Sequence, residues 1–137
     1  MSAKVFFDTN ILVYAATSSG DRSVRAREAL ANGGTVSVQV LNEFAQTARR
    51  KLSRSWPEIR STITALRVLC AECLPITEQT HDAALQIAQR YGYGLYDSLI
   101  LASAIEANCA TLLSEDMQDG QVVDGRLTIR NPFVTNA

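Results

Sequence analysis

KVFFDTNILVY, residues 4–14, sets a run of strand-forming residues directly against Asp8, then Thr9, Asn10 and a second apolar run. An acid at such a seam is either a local device or a functional group held at the end of a rigid strand. An Asx turn, or a cap on the helix that follows, is the local explanation. The rest of the chain decides whether the second explanation also applies.

Working outward, apolar runs of strand and helix character alternate. TVSV (35–38), CLPIT (73–77), ATLLS (110–114) and RLTIRNP (126–132) read as further short strands. DRSVRAREALANGG (21–34) reads as a helix, with Asp21 placed to cap it and Gly33 to end it. QVLNEFAQTARRK (39–51) puts Val40, Leu41, Phe44, Ala45 and Ala48 on one helical face. SWPEIRSTITALRVLC (55–70) opens with Ser55 and Glu58 at capping-box spacing and Pro57 in the first turn, and Ile59, Ile63 and Leu66 form its stripe. EQTHDAALQIAQRYG (78–92) ends near Gly92, YDSLILASAIEAN (96–108) is apolar enough to predict a buried helix, and EDMQDGQVVDG (115–125) reads as a polar loop. Strands separated by helices predict an α/β fold with a short, mainly parallel central sheet flanked by helices. No repeat or linker divides the chain, so its 137 residues are expected to form a single domain.

Composition excludes several functions. The net charge of −1 gives no strongly basic footprint for nucleic acid. Basic residues are nevertheless concentrated in RSVRAR (Arg22, Arg25, Arg27) and in RRKLSR (Arg49, Arg50, Lys51, Arg54). Each run is either a solvated helix face or a contact to an RNA backbone, and the second is the candidate for RNA. Cys70, Cys73, Cys109 and the single histidine, His81, are too few for a zinc site in this arrangement, so reduced, buried thiols are expected. No apolar run approaches the ~18 residues that span a bilayer, and MSAKVFF lacks a cleavable signal pattern. A cytoplasmic protein away from membranes is expected.

In parallel sheets, sites form just beyond the carboxyl ends of strands. Four acids are sent there: Asp8 after the first strand, Glu43 on the helix after TVSV, Asp97 on the helix after the turn YGYG, and Asp116 just past ATLLS with Glu115 and Asp119 beside it. Singly, each has a structural explanation as a cap, a first-turn acid or a turn residue. Together they need neutralising, because two carboxylates ~4 Å apart repel by about 4 kcal/mol at an effective dielectric of ~20. The chain has only two lysines, Lys4 and Lys51, and Arg90 is the one basic residue within ten positions of Asp97. An all-oxygen cluster without His or Cys suits Mg²⁺ or Mn²⁺, ions that take part of their shell from substrate phosphate. That chemistry favours phosphodiester cleavage.

FFDTNILVYA (6–15), SVQVLNEF (37–44), YGLYDSLILASA (93–104) and LLSEDMQDG (112–120) resemble the four acidic motifs of PIN-domain ribonucleases, and most closely those of the VapC toxins of bacterial toxin–antitoxin pairs. The resemblance runs through essentially the whole chain in the family's order. It implies a three-layer PIN-like fold and a Mg²⁺-dependent endoribonuclease leaving 5′-phosphate and 3′-hydroxyl ends without a covalent intermediate. Asp8 and Asp97 would be the principal ligands of Mg²⁺ or Mn²⁺, with Glu43 and Asp116 completing the acidic pocket. Asn10 and Ser114 fall where the family places polar residues that orient ligands and waters. The family often carries an aromatic three residues after its fourth acid. Asp119 stands there instead, which leaves Asp116 and Asp119 as alternatives. The implied partners are RNA, an antitoxin that occludes the acidic pocket, and a second copy in a homodimer, for which the stripe of residues 55–69 is a candidate surface beside its plainer role in the core.

Other aspartate-after-strand chemistries fit poorly. A phosphoacceptor receiver needs a lysine late in the chain, and none follows Lys51. A haloacid-dehalogenase-type phosphatase needs a second acid two residues on, where Asn10 stands. A non-catalytic RNA-binding or protein-interaction module is the remaining alternative, weakened because an uncompensated acid cluster destabilises its own fold.

Overall fold

The computed structural model describes residues 4–17 and 20–134; residues 1–3, on which the reading of the N-terminus partly rests, lie outside the described residues. The chain runs β1 (Val5–Phe7), α1 (Thr9–Ala16), α2 (Asp21–Ala31), β2 (Thr35–Ser37), α3 (Val38–Arg50), α4 (Trp56–Leu69), β3 (Glu72–Leu74), α5 (Glu78–Tyr91), α6 (Leu95–Glu106), β4 (Thr111–Leu113), β5 (Val122–Val123) and β6 (Leu127–Arg130).

These strands form one sheet in the order β3-β2-β1-β4-β6-β5, parallel throughout except for β5, which pairs antiparallel with β6. The α/β expectation therefore holds. The chain builds outward from β1 to β2 to β3, then returns across β1 to lay down β4. Strand order reverses between β1 and β4, and the carboxyl ends of those two strands are where such a sheet opens a crevice. Among the helices, α1 packs on α2 and α3, α3 on α4, and α5 on α6, with α3 also touching α6.

Central β1 is buried on both sides, Phe6 and Phe7 being fully enclosed, as a parallel strand between helical layers must be. The apolar helix α6 is buried continuously from Ser98 to Ala104. On α4, Ile59 and Leu66 enter the core and Ile63 packs against it, so the stripe serves the chain's own interior. Its capping box is present: Ser55 accepts from Glu58 N, and the Glu58 carboxylate accepts from Ser55 N. The cysteines are free thiols; Cys70 and Cys109 are buried and Cys73 is half-buried.

Two expectations need correction. Asp21 does not cap α2; Gly20 holds the cap position, and Asp21 is the first helical residue, paired with Arg25 at 3.1 Å. The segment 115–125 is not loop throughout, because Val122 and Val123 form β5. Its hairpin turns through Asp124 and Gly125, both at positive φ, and the D-G pair between apolar runs is the signal for such a turn.

Gly34 is where the sheet leaves no room. A Cβ there would lie 2.7 Å from Phe7 Cζ and 2.8 Å from the Val5 carbonyl oxygen, which belongs to β1 backbone. Gly34→Ala is expected to destabilise the protein by about 1–3 kcal/mol through overpacking; denaturant unfolding with an unchanged midpoint would show that β1 and β2 can move apart.

Candidate functional site

Asp8 both ends a strand and caps a helix. Its backbone N donates to Leu113 O at 3.0 Å, prolonging the β1–β4 pairing by one residue. Its Oδ1 accepts from Thr9 N at 2.7 Å and so caps α1. The other oxygen, Oδ2, accepts from Ser114 Oγ at 2.7 Å and from Asn10 Nδ2 at 3.2 Å. Only 3% of the residue is exposed. Burial pushes its pKa up to about 6; the bonds from Ser114 and Thr9 pull it down, and the nearby Asp97 and Glu43 carboxylates push it up again.

Asn10 links three parts of the site. Its Nδ2 is shared between Asp8 Oδ2 and Asp116 Oδ2, the latter at 3.3 Å, while its Oδ1 accepts from Glu115 N at 3.2 Å. Ser114, fully buried, donates to Asp8 and accepts from Met117 N at 3.2 Å, which fixes the turn that delivers Asp116. Both residues therefore hydrogen-bond to carboxylates of the cavity.

Glu43 enters from α3. Its two oxygens accept from Thr9 Oγ1 at 3.1 Å and from Gln39 Nε2 at 2.9 Å. Asp97 enters from the first turn of α6, half-buried, and among the described residues no donor makes a hydrogen bond to it. Burial raises its pKa, and Glu43 and Asp116 raise it further.

Asp8, Glu43, Asp97 and Asp116, which the sequence scatters over more than a hundred positions, line one cavity of about 320 Å³. Asp119 is not among its lining residues; it accepts from Asn131 N at 2.8 Å and ties down the end of β6. Of the two alternatives for the fourth acid, Asp116 is the one that reaches the cavity.

The basic run 49–54 is split by the fold. Lys51 lines the acidic cavity. Arg49 turns away, donating to Arg54 O at 3.1 Å with its guanidinium 5.2 Å from the centre of the Trp56 ring. Arg54 is half-buried, and its backbone N closes on Ala48 O at 3.1 Å. The earlier run is used within the fold: Arg22 pairs with Glu115 at 2.6 Å, Arg25 with Asp21, and Arg27 with the carbonyls of Ala15 and Thr17.

Several residues at the site were not singled out from the sequence. Thr9 and Gln39 hold Glu43, and only their positions on the first turns of α1 and α3 could have hinted at it. At the rim, Tyr14 Oη donates to Glu115 at 2.5 Å. Burial raises Glu115, but the Tyr14 hydroxyl and the Arg22 guanidinium outweigh it and hold that carboxyl below its ordinary range. Glu115 is thus neutralised within the protein, in contrast to Asp97.

The oxygen-only donor set fits a hard divalent cation better than zinc. Asp8, Glu43, Asp97 and Asp116 are the residues able to take part. Among the described residues, no group of three or more His, Cys, Asp or Glu side chains is gathered closely enough to hold an ion directly.

A family model for the PIN domain matches residues 5–118, most of the chain. The chain belongs to the PIN domain family. Its fold is shared by solved structures of low sequence identity. A toxin–antitoxin complex from Klebsiella pneumoniae superposes with a TM-score of 0.72 at 21% identity, covering 95% of this chain and 98% of that one. VapBC2 from Rickettsia felis, bound to a fragment of its promoter DNA, gives 0.68 at 21% identity over 93% and 97%. The sarcin–ricin-loop-cleaving toxin VapC20 of Mycobacterium tuberculosis gives 0.64 at 16% identity over 82% and 90%. No curated protein matches in sequence. Among the described residues, no helix is long and apolar enough to cross a membrane.

Proposed function

We propose that this PIN-domain chain is a metal-dependent endoribonuclease, the toxin of a toxin–antitoxin pair. The observation that carries the reading is that four carboxylates from four segments line one cavity at the β1/β4 crevice, two of them raised in pKa by burial and by neighbouring carboxylates. Such an arrangement opposes folding and is retained where the charge has work to do. The likeness to toxin–antitoxin structures supports the biological context, and one of those neighbours is described as a sarcin–ricin-loop-cleaving toxin.

Asp8 and Asp97, with Glu43 and Asp116, would hold Mg²⁺ or Mn²⁺, whose chemistry when bound is polarisation of a phosphate oxygen and acidification of a water. The chain's own residues do the rest. Ser114 and Thr9 N fix the Asp8 carboxylate at the strand end. Thr9 and Gln39 hold Glu43, and Asn10 keeps Asp116 on the same side as Asp8. Lys51, at the cavity wall, offers the scissile phosphate a positive partner. Arg49, Arg50 and Arg54 extend the basic run outward, but Arg49 must leave Trp56 to reach RNA.

Removing the Asn10 bridge isolates positioning from ligation. Asn10→Ala is expected to lower the cleavage rate about 10- to 100-fold, the range for groups that orient metal ligands. An unchanged rate at saturating Mg²⁺ would show that Asp8 and Asp116 need no link.

The reading is tested by incubating the purified protein, free of any partner, with total RNA in Mg²⁺ or Mn²⁺ and in EDTA. Discrete cleavage with metal and none in EDTA is expected. A folded protein that cuts nothing under any of these conditions is a binding module instead. A partner protein that occludes the cavity, and a second copy of the chain, are the expected associates; light scattering that shows only monomer would remove the second.

A further inference from the structure

Beside the acidic cavity lies a second one of about 490 Å³, and Glu43 and Thr47 line both. Its other walls are Gln39, Asn42 and Gln46 from α3 and Tyr96 from α6. Positions 39, 42, 43, 46 and 47 recur at helical spacing, so a single face of α3 serves both cavities. Tyr96 immediately precedes Asp97 and is 63% exposed, a large aromatic surface left in water next to the site.

We propose that this second cavity is a nucleobase subsite, which takes the base flanking the scissile phosphate of a single-stranded RNA segment, with Tyr96 as the stacking surface and Asn42 and Gln46 as the base-edge readers. The proposal rests on the ribonuclease reading and adds where sequence preference arises. Its lining holds three amides, a hydroxyl, one aromatic and the shared Glu43, with no lysine or arginine. A phosphate would find no cation there and an apolar peptide little to bury. A base needs a π-face and paired donors and acceptors, and these are present. The amides differ in availability. Gln39 is committed to Glu43. Gln46, with its amide turned to satisfy both groups, accepts from Arg50 Nη1 and Nη2 at 3.2 Å, which also sets a guanidinium beside the subsite for the next phosphate. Asn42 is exposed, and no hydrogen bond is made by its side chain among the described residues. The volume lies within the roughly 300–1,000 Å³ typical of small-ligand sites.

The test uses the RNA fragment that the parent protein cuts. Steady-state cleavage is compared for the parent, Tyr96→Ala and Tyr96→Phe. In the Asp97→Asn background, 2-aminopurine is placed in turn on each side of the cut and its fluorescence followed on binding. Tyr96→Ala is expected to raise KM about 10-fold with kcat little changed and to abolish quenching at one flanking position. Tyr96→Phe should retain both parent values, since stacking needs the ring and not the hydroxyl. Asn42→Ala should relax the preference for the base at that position. If Tyr96→Ala keeps the parent's KM and quenching, the subsite is overturned and the groove belongs to a protein segment, while the nuclease stands. Equal losses in the alanine and phenylalanine variants overturn stacking. Absence of cleavage by the parent itself removes the nuclease reading and the subsite with it.

Discussion

If the proposed metal site holds, Asp97→Asn is expected to lower cleavage by about 10³-fold or more, because loss of a ligand would remove several kcal/mol of charge stabilisation. In metal-free buffer the same substitution should make the protein more stable. The Asp97 carboxylate is half-buried, no described donor bonds to it, and Glu43 and Asp116 press its pKa upward. A neutral amide of the same shape ends that repulsion. The site is partly solvated, so the gain is on the order of 1 kcal/mol, or roughly 3–5 °C in Tm for a chain of this size. Mg²⁺ should then reverse the ranking. Ligand at a hundred times its Kd stabilises by about 2.7 kcal/mol, and only the parent should receive that in full. Melting curves of both proteins with and without Mg²⁺ decide the matter. A variant that is less stable in EDTA would mean that Asp97 serves the fold; a variant that still cuts RNA would place the chemistry elsewhere.

The core of that site was legible because strand ends are where the sequence is least ambiguous. VFF followed by Asp8, and TLL followed by Ser114 and Asp116, announce both the strand and what it delivers, and neighbouring β1 and β4 bring the two ends together. Helical spacing fixed the inward face of α3, and with it the side on which Glu43 emerges. What stayed hidden depends on contacts between elements far apart in the chain. Thr9 reaching Glu43 and Arg22 reaching Glu115 are set by how helices lie across the sheet, which no local pattern encodes. The basic run was likewise not resolved by its sequence alone: a cluster of charges in sequence radiates around a helix, so Lys51 faces the cavity while Arg49 lies over Trp56. The β5 hairpin was obscured by its brevity, two residues within an otherwise polar stretch, although the D-G pair was there to be read. Asp119 could be separated from Asp116 only by seeing that the backbone amide of Asn131, 12 residues on, claims it.

The metal-free protein should lose stability as pH rises from about 4 to 7, and Asp8 should be the main source of the loss. Its ordinary carboxyl pKa of 3.8 is raised to about 6 in the folded state, chiefly by burial. A carboxyl with a raised folded pKa binds its proton more tightly folded than unfolded. Its contribution to stability is therefore complete below the unfolded value, declines as pH climbs through the window between the two, and is gone above the folded one. A shift of that size corresponds to about 3 kcal/mol at 1.36 kcal/mol per unit. Other groups titrate over the same range, so the measurement is the difference between the parent and Asp8→Asn, followed by denaturant unfolding in EDTA at several pH values. The amide loses one of the acceptor sites offered to Ser114, Asn10 and Thr9, which gives a constant offset; only the slope carries the argument. The difference should move in the variant's favour by about 2–2.5 kcal/mol between pH 4 and pH 7 and then level off. Saturating Mg²⁺ at pH 7 should restore much of what the parent lost, since an ion held by ionised Asp8 offsets the burial of its charge. A pH-independent difference would mean that Asp8 is comfortable as a buried anion on its three hydrogen bonds alone, and the physical case for a cation at the end of β1 would go with it.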